Sequence, residues 1–289
     1  MLLVAGCTAG GSQQTAGHAP SGPAFEPYVT SSCRPGVNGA EFWIMNSGQL
    51  SALQAEAPGS VRHGLRLTNV FVLERPGVTS PVGQTVAYFK SYAAFRTALT
   101  LRQIAAGTHW VAYDNEAWSA TPSREQEAPV QYETLFSRLA HSRGYKVILM
   151  PAQDLVPSFQ RGGISWRQYL TLGLASASAR LSDIYEIQAQ PYEQTAFRQA
   201  QDYVQFVRQA TAQARAANPN AIVFAGLSTA RVTSAADLSQ DFTATRGLVS
   251  GYWLNIPKDR STAGASLAAA FLQRLPGAAD SSARTCATG

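Results

Sequence analysis

Lysine is nearly missing from this chain: of 23 basic residues only Lys90, Lys146 and Lys258 are lysine, and the arginines form no run. A net charge of +5 spread thinly over 289 residues lacks the basic patch a nucleic-acid partner requires, so none is expected. Charged residues make up 14% against 45% hydrophobic, which excludes a disordered chain and provides for a sizeable core. No apolar run reaches the roughly 18 residues of a membrane-crossing helix. Cysteine is scarce too, with Cys7, Cys33 and Cys286 far apart and in no Cys-x-x-Cys pair. His18, His63, His109 and His141 are scattered, so no zinc-type ligand spacing exists and no metal is expected. A Gly-rich phosphate loop after the first strand is absent as well, and no cofactor is expected.

What is present begins at the N-terminus. "LVAGC", ending at Cys7, resembles the lipobox of bacterial lipoproteins, although "MLLVAG" is shorter than a full signal peptide and has no basic start. The resemblance implies an exported protein lipidated at Cys7 and held at the cell envelope by that lipid alone. Gly, Ser, Thr, Gln and Ala dominate the next stretch, so residues 8–32 are expected to be a flexible tether and residues 33–289 the folded domain. In an exported chain, the remaining Cys33 and Cys286 are expected to pair as a disulfide. A monomer is expected.

From residue 41 onward short apolar strands alternate with helical stretches. Strands are read at 41–46, 65–73, 85–90, 109–115, 145–152, 183–190, 221–228 and 247–255. Helical spacing appears around 48–57, in 91–107, 129–143, 166–181, 193–219 and 263–275, with Pro129 near one start and Gly144 just past that helix's end. Eight strands mostly followed by helices predict an α/β fold, a single (β/α)8 barrel, irregular between strands two and three where "ERPGVTSPVGQ" holds no helix. An open doubly wound sheet is the alternative.

A barrel puts its active site at the C-terminal ends of its strands. Those ends carry Asn46, Lys90, Asp114 and Glu116, Gln153 and Asp154, Gln188 and Gln190, Ser228, Trp253 and Asn255. Asp114 and Glu116 fall on one face of strand four, with Asn115 on the other. As a turn they would fan into solvent; as a pocket they would meet groups from strands five, six and eight. On strand six Glu186, Gln188 and Gln190 alternate with Tyr185, Ile187 and Ala189, giving one wholly polar face. Of the other large aromatics, Trp110, Trp118 and Trp166 are read as packing.

The motifs "YDNE" on strand four, "VILMPA" on strand five, "QAQPY" ending strand six and "GYWLN" on strand eight resemble family 18 glycoside hydrolases, the chitinase-like barrels. The resemblance implies that Glu116 protonates the leaving oxygen and that Asp114 orients the substrate's N-acetyl group. It gives Gln188 and Tyr192 contacts to that group and makes Trp253 a sugar floor. Asn46, Gln153, Gln190 and Asn255 are the further substrate-binding candidates, and the partner is a glycan. Four and seven residues before the acid, where the family has aspartates, this chain has Ala112 and His109. A glycosidase on an N-acetylhexosamine-containing or related glycan and a carbohydrate-binding barrel without catalysis are therefore both open, as is a lyase or other hydrolase pairing Glu116 with Lys90. Strand seven has no carboxylate, which favours a substrate-assisted route over a two-carboxylate one.

Overall fold

The computed structural model describes residues 41–156, 165–193, 201–230, 232, 234–257 and 261–276. Cys7, Cys33, Cys286 and the segment 8–32 lie outside the described residues, with the lipid and disulfide expectations that rest on them. Eight parallel strands close into one barrel in chain order. They are β1 (Phe42–Asn46), β2 (Val70–Glu74), β3 (Gln84–Phe89), β4 (Trp110–Tyr113), β5 (Lys146–Leu149), β6 (Ile184–Ile187), β7 (Ile222–Ser228) and β8 (Gly251–Asn255). Pairing of Ile44 with both Phe71 and Trp253 joins β1 to β2 and β8 and closes the ring.

Strand alternation divides the core. Ile44, Leu73, Val86, Ala112, Ile148, Ile184, Phe224 and Trp253 fill the barrel, one or two from each strand. Their chain neighbours, such as Trp43, Met45, Val223 and Tyr252, point outward into the layer under the helices. That outer layer is rich in rings: Trp43 stacks on Phe242, and Tyr113 on Phe136 at 4.9 Å between centroids. Full burial of each such side chain is worth about 1.5–3 kcal/mol, so the two layers supply most of the stabilisation.

The helices are α1 (Ser47–Glu56), α2 (Pro58–Gly64), α3 (Tyr92–Thr100), α4 (Ser123–Glu127), α5 (Pro129–Ser142), α6 (Ser165–Thr171), α7 (Leu174–Leu181), α8 (Gln201–Ala217), α9 (Ala235–Thr245) and α10 (Ser261–Leu272). As expected, no helix separates β2 from β3. Gly83 turns the chain there at φ +68°, and a Cβ would meet the Val70 carbonyl oxygen at 2.4 Å, so no side chain fits.

Several elements depart from the sequence reading. The helix expected over 166–181 is two helices, broken where Gly173 takes a left-handed φ of +71°. Strand two begins only at Val70, because Leu67–Asn69 form a 3-10 turn. Strand eight begins at Gly251, since Leu248 still bonds back to Thr245 at the end of α9. Strand six stops at Ile187, and Gln190–Tyr192 form a 3-10 turn in place of a strand end or a helix start. Helix α9 was not anticipated, although its capping box is plain: Ser234 and Asp237 bond each other's backbone N–H.

Candidate functional site

The loop after β4 is held on three sides before any functional group is placed. Glu125, fully buried, accepts from the backbone N–H groups of Tyr92 and Ala93 at 2.7 and 3.1 Å and from the Tyr113 hydroxyl at 2.8 Å. One carboxylate thus caps α3 and ties β4 to it. The Asn115 side-chain amide donates to the Glu125 backbone carbonyl, and the Asn115 backbone carbonyl accepts from Ala152 N–H after β5. Asp154 accepts from Ala117 N–H at 2.9 Å. Trp118 donates to Thr121, Thr121 donates to the Lys90 carbonyl, and Gln126 bridges the carbonyls of Trp118 and Thr121. These bonds fix the direction in which residues 114 and 116 leave the strand.

Asp114 is 1% exposed and points into the barrel mouth. The Tyr88 hydroxyl, inward from β3, donates to one of its oxygens. Gln188 Nε2, just past β6, donates to the other at 2.7 Å and to the Met150 carbonyl at 2.9 Å. Gln153 Nε2 donates to the Gln188 carbonyl at 2.9 Å, which sets the backbone that carries this amide. Glu116 is half-buried and lies close enough to Asp114 and Gln188 for both to act on its charge. The two carboxyl groups therefore do not fan into solvent; they meet each other and a residue from the end of β6.

Their electrostatics differ. Burial, followed by repulsion from Asp114 and then Asp154, pushes the Glu116 carboxyl well above the usual carboxylate range. Burial also raises Asp114, opposed by hydrogen bonds from Tyr88 and Glu116, by the Lys90 charge and by the Gln188 bond. The interaction within the pair acts in opposite directions, lowering Asp114 and raising Glu116, so Glu116 is the member that holds a proton more firmly. Like-charge repulsion was the cause expected for Glu116; burial is the larger one. Tyr88 stays a neutral donor, since burial and then the Asp114 charge oppose its ionisation. Lys90 is exposed, its ammonium 4.1 Å from the centre of the Trp118 ring, and it reaches Asp114 through charge alone.

The other candidates fall at different depths. Trp253 lies inside the barrel with the apolar inner residues and is 7% exposed. Asn255 accepts from Gln49 Nε2 at 2.8 Å, and the same amide donates to the Ile256 carbonyl, so Asn255 ties α1 to the end of β8. Asn46 caps α1, accepting from Gly48 N–H at 3.0 Å. Ser228 N–H donates to Glu193, and its hydroxyl accepts from Ala230 N–H. Tyr192 is not on the mouth: its hydroxyl accepts from Trp166 N–H at 3.0 Å and its ring meets Phe206 in the layer beneath the helices. The 3-10 turn at 190–192 rotates it outward, which strand alternation could not foresee.

Two inward groups escaped the list of candidates. A strand running to residue 90 puts Lys90 at its end; β3 instead ends at Phe89, and alternation from Val86 brings Tyr88 to the inner face. Glu186 was seen only as part of a polar stripe. It is completely buried beneath Gln188, both carboxyl oxygens lack a hydrogen-bond partner among the described residues, and burial first, then Asp114 and Glu116, keep it protonated. No cluster of metal-ligating side chains occurs among the described residues.

No family model matches the sequence, and no curated protein matches it either. Among solved structures, bee venom hyaluronidase is 10% identical at a TM-score of 0.46, over 76% of this chain and 92% of that one. A Schiff-base-forming fructose-1,6-bisphosphate aldolase is 10% identical at 0.41, over 82% and 93%. An active-site mutant of Rhizomucor miehei β-1,3-glucanosyltransferase in complex with laminaritriose is 10% identical at 0.39, over 74% and 86%. These proteins differ in chemistry, and function here has to be argued from the side chains.

Proposed function

We propose that this barrel is a glycoside hydrolase-like protein acting on an N-acetylhexosamine-containing glycan by a substrate-assisted acid mechanism. The observation that carries the reading is geometric: Asp114 is buried at the barrel mouth and held there by Tyr88 and Gln188, with the half-buried Glu116 two residues on beside it. Glu116 is half-buried, within reach of a ligand, and it is the group of the pair that can give a proton near neutral pH. It protonates the glycosidic oxygen as the bond from that oxygen to the anomeric carbon breaks. The substrate's acetamido oxygen forms the new bond to the anomeric carbon, and Asp114 stabilises the positive charge that develops on the acetamido group. Water then attacks the same carbon, giving up a proton to Glu116, as the bond from that carbon to the acetamido oxygen breaks and restores the acetamido group. No carboxylate on β7 is available as a protein nucleophile, and Glu186 lies too deep and too firmly protonated to serve as one.

Ala112 and His109, standing where the resembled family has aspartates, support a second reading in which the mouth binds sugars without turnover. Purified full-length chain, screened on a glycan array and by release of reducing ends from N-acetylglucosamine oligomers, separates the two. Turnover by the wild type supports catalysis, and binding without turnover supports the second reading. Failure of both tests rules out both.

Export with a lipid on Cys7, and a Cys33–Cys286 disulfide, belong to the same proposal and rest on "LVAGC" and the cysteine count. Mass spectrometry of the membrane fraction and thiol titration of unfolded, unreduced protein test them. An unmodified Cys7, or free thiols at Cys33 and Cys286, would remove the respective part.

A further inference from the structure

Gly226 is the inward residue of β7 between Phe224 and Ser228, since Ala225 and Leu227 point into the outer layer. Its register partner on β8 is Trp253. Continuing the β6–β7 register by one residue sets Gln188, the amide that holds Asp114, on its other side. A Cβ added to Gly226 would meet the Gln190 side chain at 2.3 Å from Cδ and Nε2 and 2.6 Å from Oε1. The carboxamide of Gln190 thus fills the place where a side chain at 226 would stand, between Gln188 and Trp253.

That amide is only half-buried and makes no hydrogen bond with the described residues. Trp253 is more than nine-tenths buried on the same inner face, and its Nε1–H also lacks a partner among them. A buried donor left unpaired costs about 1–3 kcal/mol, a cost that a polar group reaching this inner face would offset. Here the unused set is two N–H donors and a carbonyl oxygen from Gln190, with the indole N–H carried by Trp253, the register partner of Gly226.

We propose that Gly226 and Gln190 act together as the specificity determinant of the mouth. Gly226 supplies the space, and Gln190 turns back over it to present a donor and an acceptor to the polar substituent of a sugar ring. An acetamido group, with one N–H and one C=O, matches that amide, whereas a hydroxyl uses only part of it. This rests on the glycan reading above.

The test uses the full chain and two probes of the same β-1,4 linkage, the N-acetylglucosamine tetramer and the glucose tetramer, with binding measured by calorimetry. Wild type should prefer the acetylated tetramer by about 10-fold or more, and Gln190→Ala and Gly226→Ala should each remove most of that preference. The double variant should be no worse than Gln190→Ala alone, because the added methyl acts only by displacing Gln190. Additive losses, an unchanged preference in Gln190→Ala, or equal or absent binding of both tetramers by wild type would overturn the proposal. If Gly226→Ala does not fold, Gln190→Met decides: it keeps the shape without the amide, so a retained preference is an overturning result. Binding is read without turnover, so a wild type that binds selectively but releases no reducing ends defeats the catalytic reading and leaves this one standing.

Discussion

The lower and upper halves of the barrel interior are built from the same strands and follow opposite rules. Below, Ile44, Val86, Ala112, Ile148, Ile184 and Phe224 fill the space with apolar side chains. Two residues further along β3, β4, β6 and β7 the inner face changes to Tyr88, Asp114, Glu186 then Gln188, and Gly226. The lower half contributes stability, while the upper half carries buried carboxyls and unpaired polar groups, each of which costs some. In a barrel whose ligand sites lie at the strands' C-terminal ends, such cost concentrated at one end marks where binding energy is spent.

Substitutions can test that contrast. The largest effect is expected at the top: Glu116→Gln should lower the rate of a catalytic barrel by roughly 10²–10⁴-fold, with sugar binding kept and melting unchanged. A parallel loss of binding would mean that Glu116 holds the ligand without donating a proton. At the bottom, Phe224→Ala should cost about 3–5 kcal/mol in denaturant unfolding through the cavity it leaves. A loss under 1 kcal/mol there would break the division between the halves.

The pH dependence separates the regions again. Activity needs Glu116 protonated and Asp114 charged, so it should fall on the acid side as the raised Asp114 takes up its proton, and on the alkaline side as Glu116 loses its own. Outside the barrel, Glu133 is buried between α5 and α7, accepts from Ser178, and is pushed up by burial to about 8. The unfolded chain gives up this proton near pH 4, earlier than the folded protein does. Its contribution to stability is therefore full below about pH 4 and lost as pH rises toward 8. Glu133→Gln should flatten that slope in urea titrations between pH 4 and 8, and an unaltered slope would assign it elsewhere. The smallest shift expected is a gain: Glu186→Met, replacing an acid that bonds to nothing described, should stabilise by about 1–3 kcal/mol. Destabilisation on the same assay would show that the acid supports the fold.

Much of this was legible in the sequence because barrel strands announce themselves by apolar runs and their ends by polar residues. Asp114, Glu116 and Gln188 could be placed at one end from alternation alone, and the structure brings them into contact. Alternation fails once a strand stops. Tyr192 and Gln190 lie past Ile187 in a 3-10 turn, so one faces outward and the other folds back over a neighbouring strand. Gly226 carries no side chain for a pattern to notice. Helix α9 is signalled only by its Ser234–Asp237 capping box, between two apolar strands with far stronger patterns. The capping role of Glu125 is not visible in the sequence, since the two α3 N–H groups it accepts from lie more than thirty residues away along the chain.

The seam between β1 and β8 bears on how the chain reaches this form. Every other strand pair joins neighbours in sequence, whereas Phe42 meets Gly251 across nearly the whole folded length, the contact with the greatest loop-closure entropy. Gly251 has no room for a side chain, since a Cβ would stand 2.4 Å from the Phe42 carbonyl oxygen and 2.8 Å from the Phe224 ring. The last strand can slide in only because its first residue offers bare backbone to the first strand. Any form of the chain in which this seam is unpaired leaves β1 and β8 as edge strands, open to pairing with another chain.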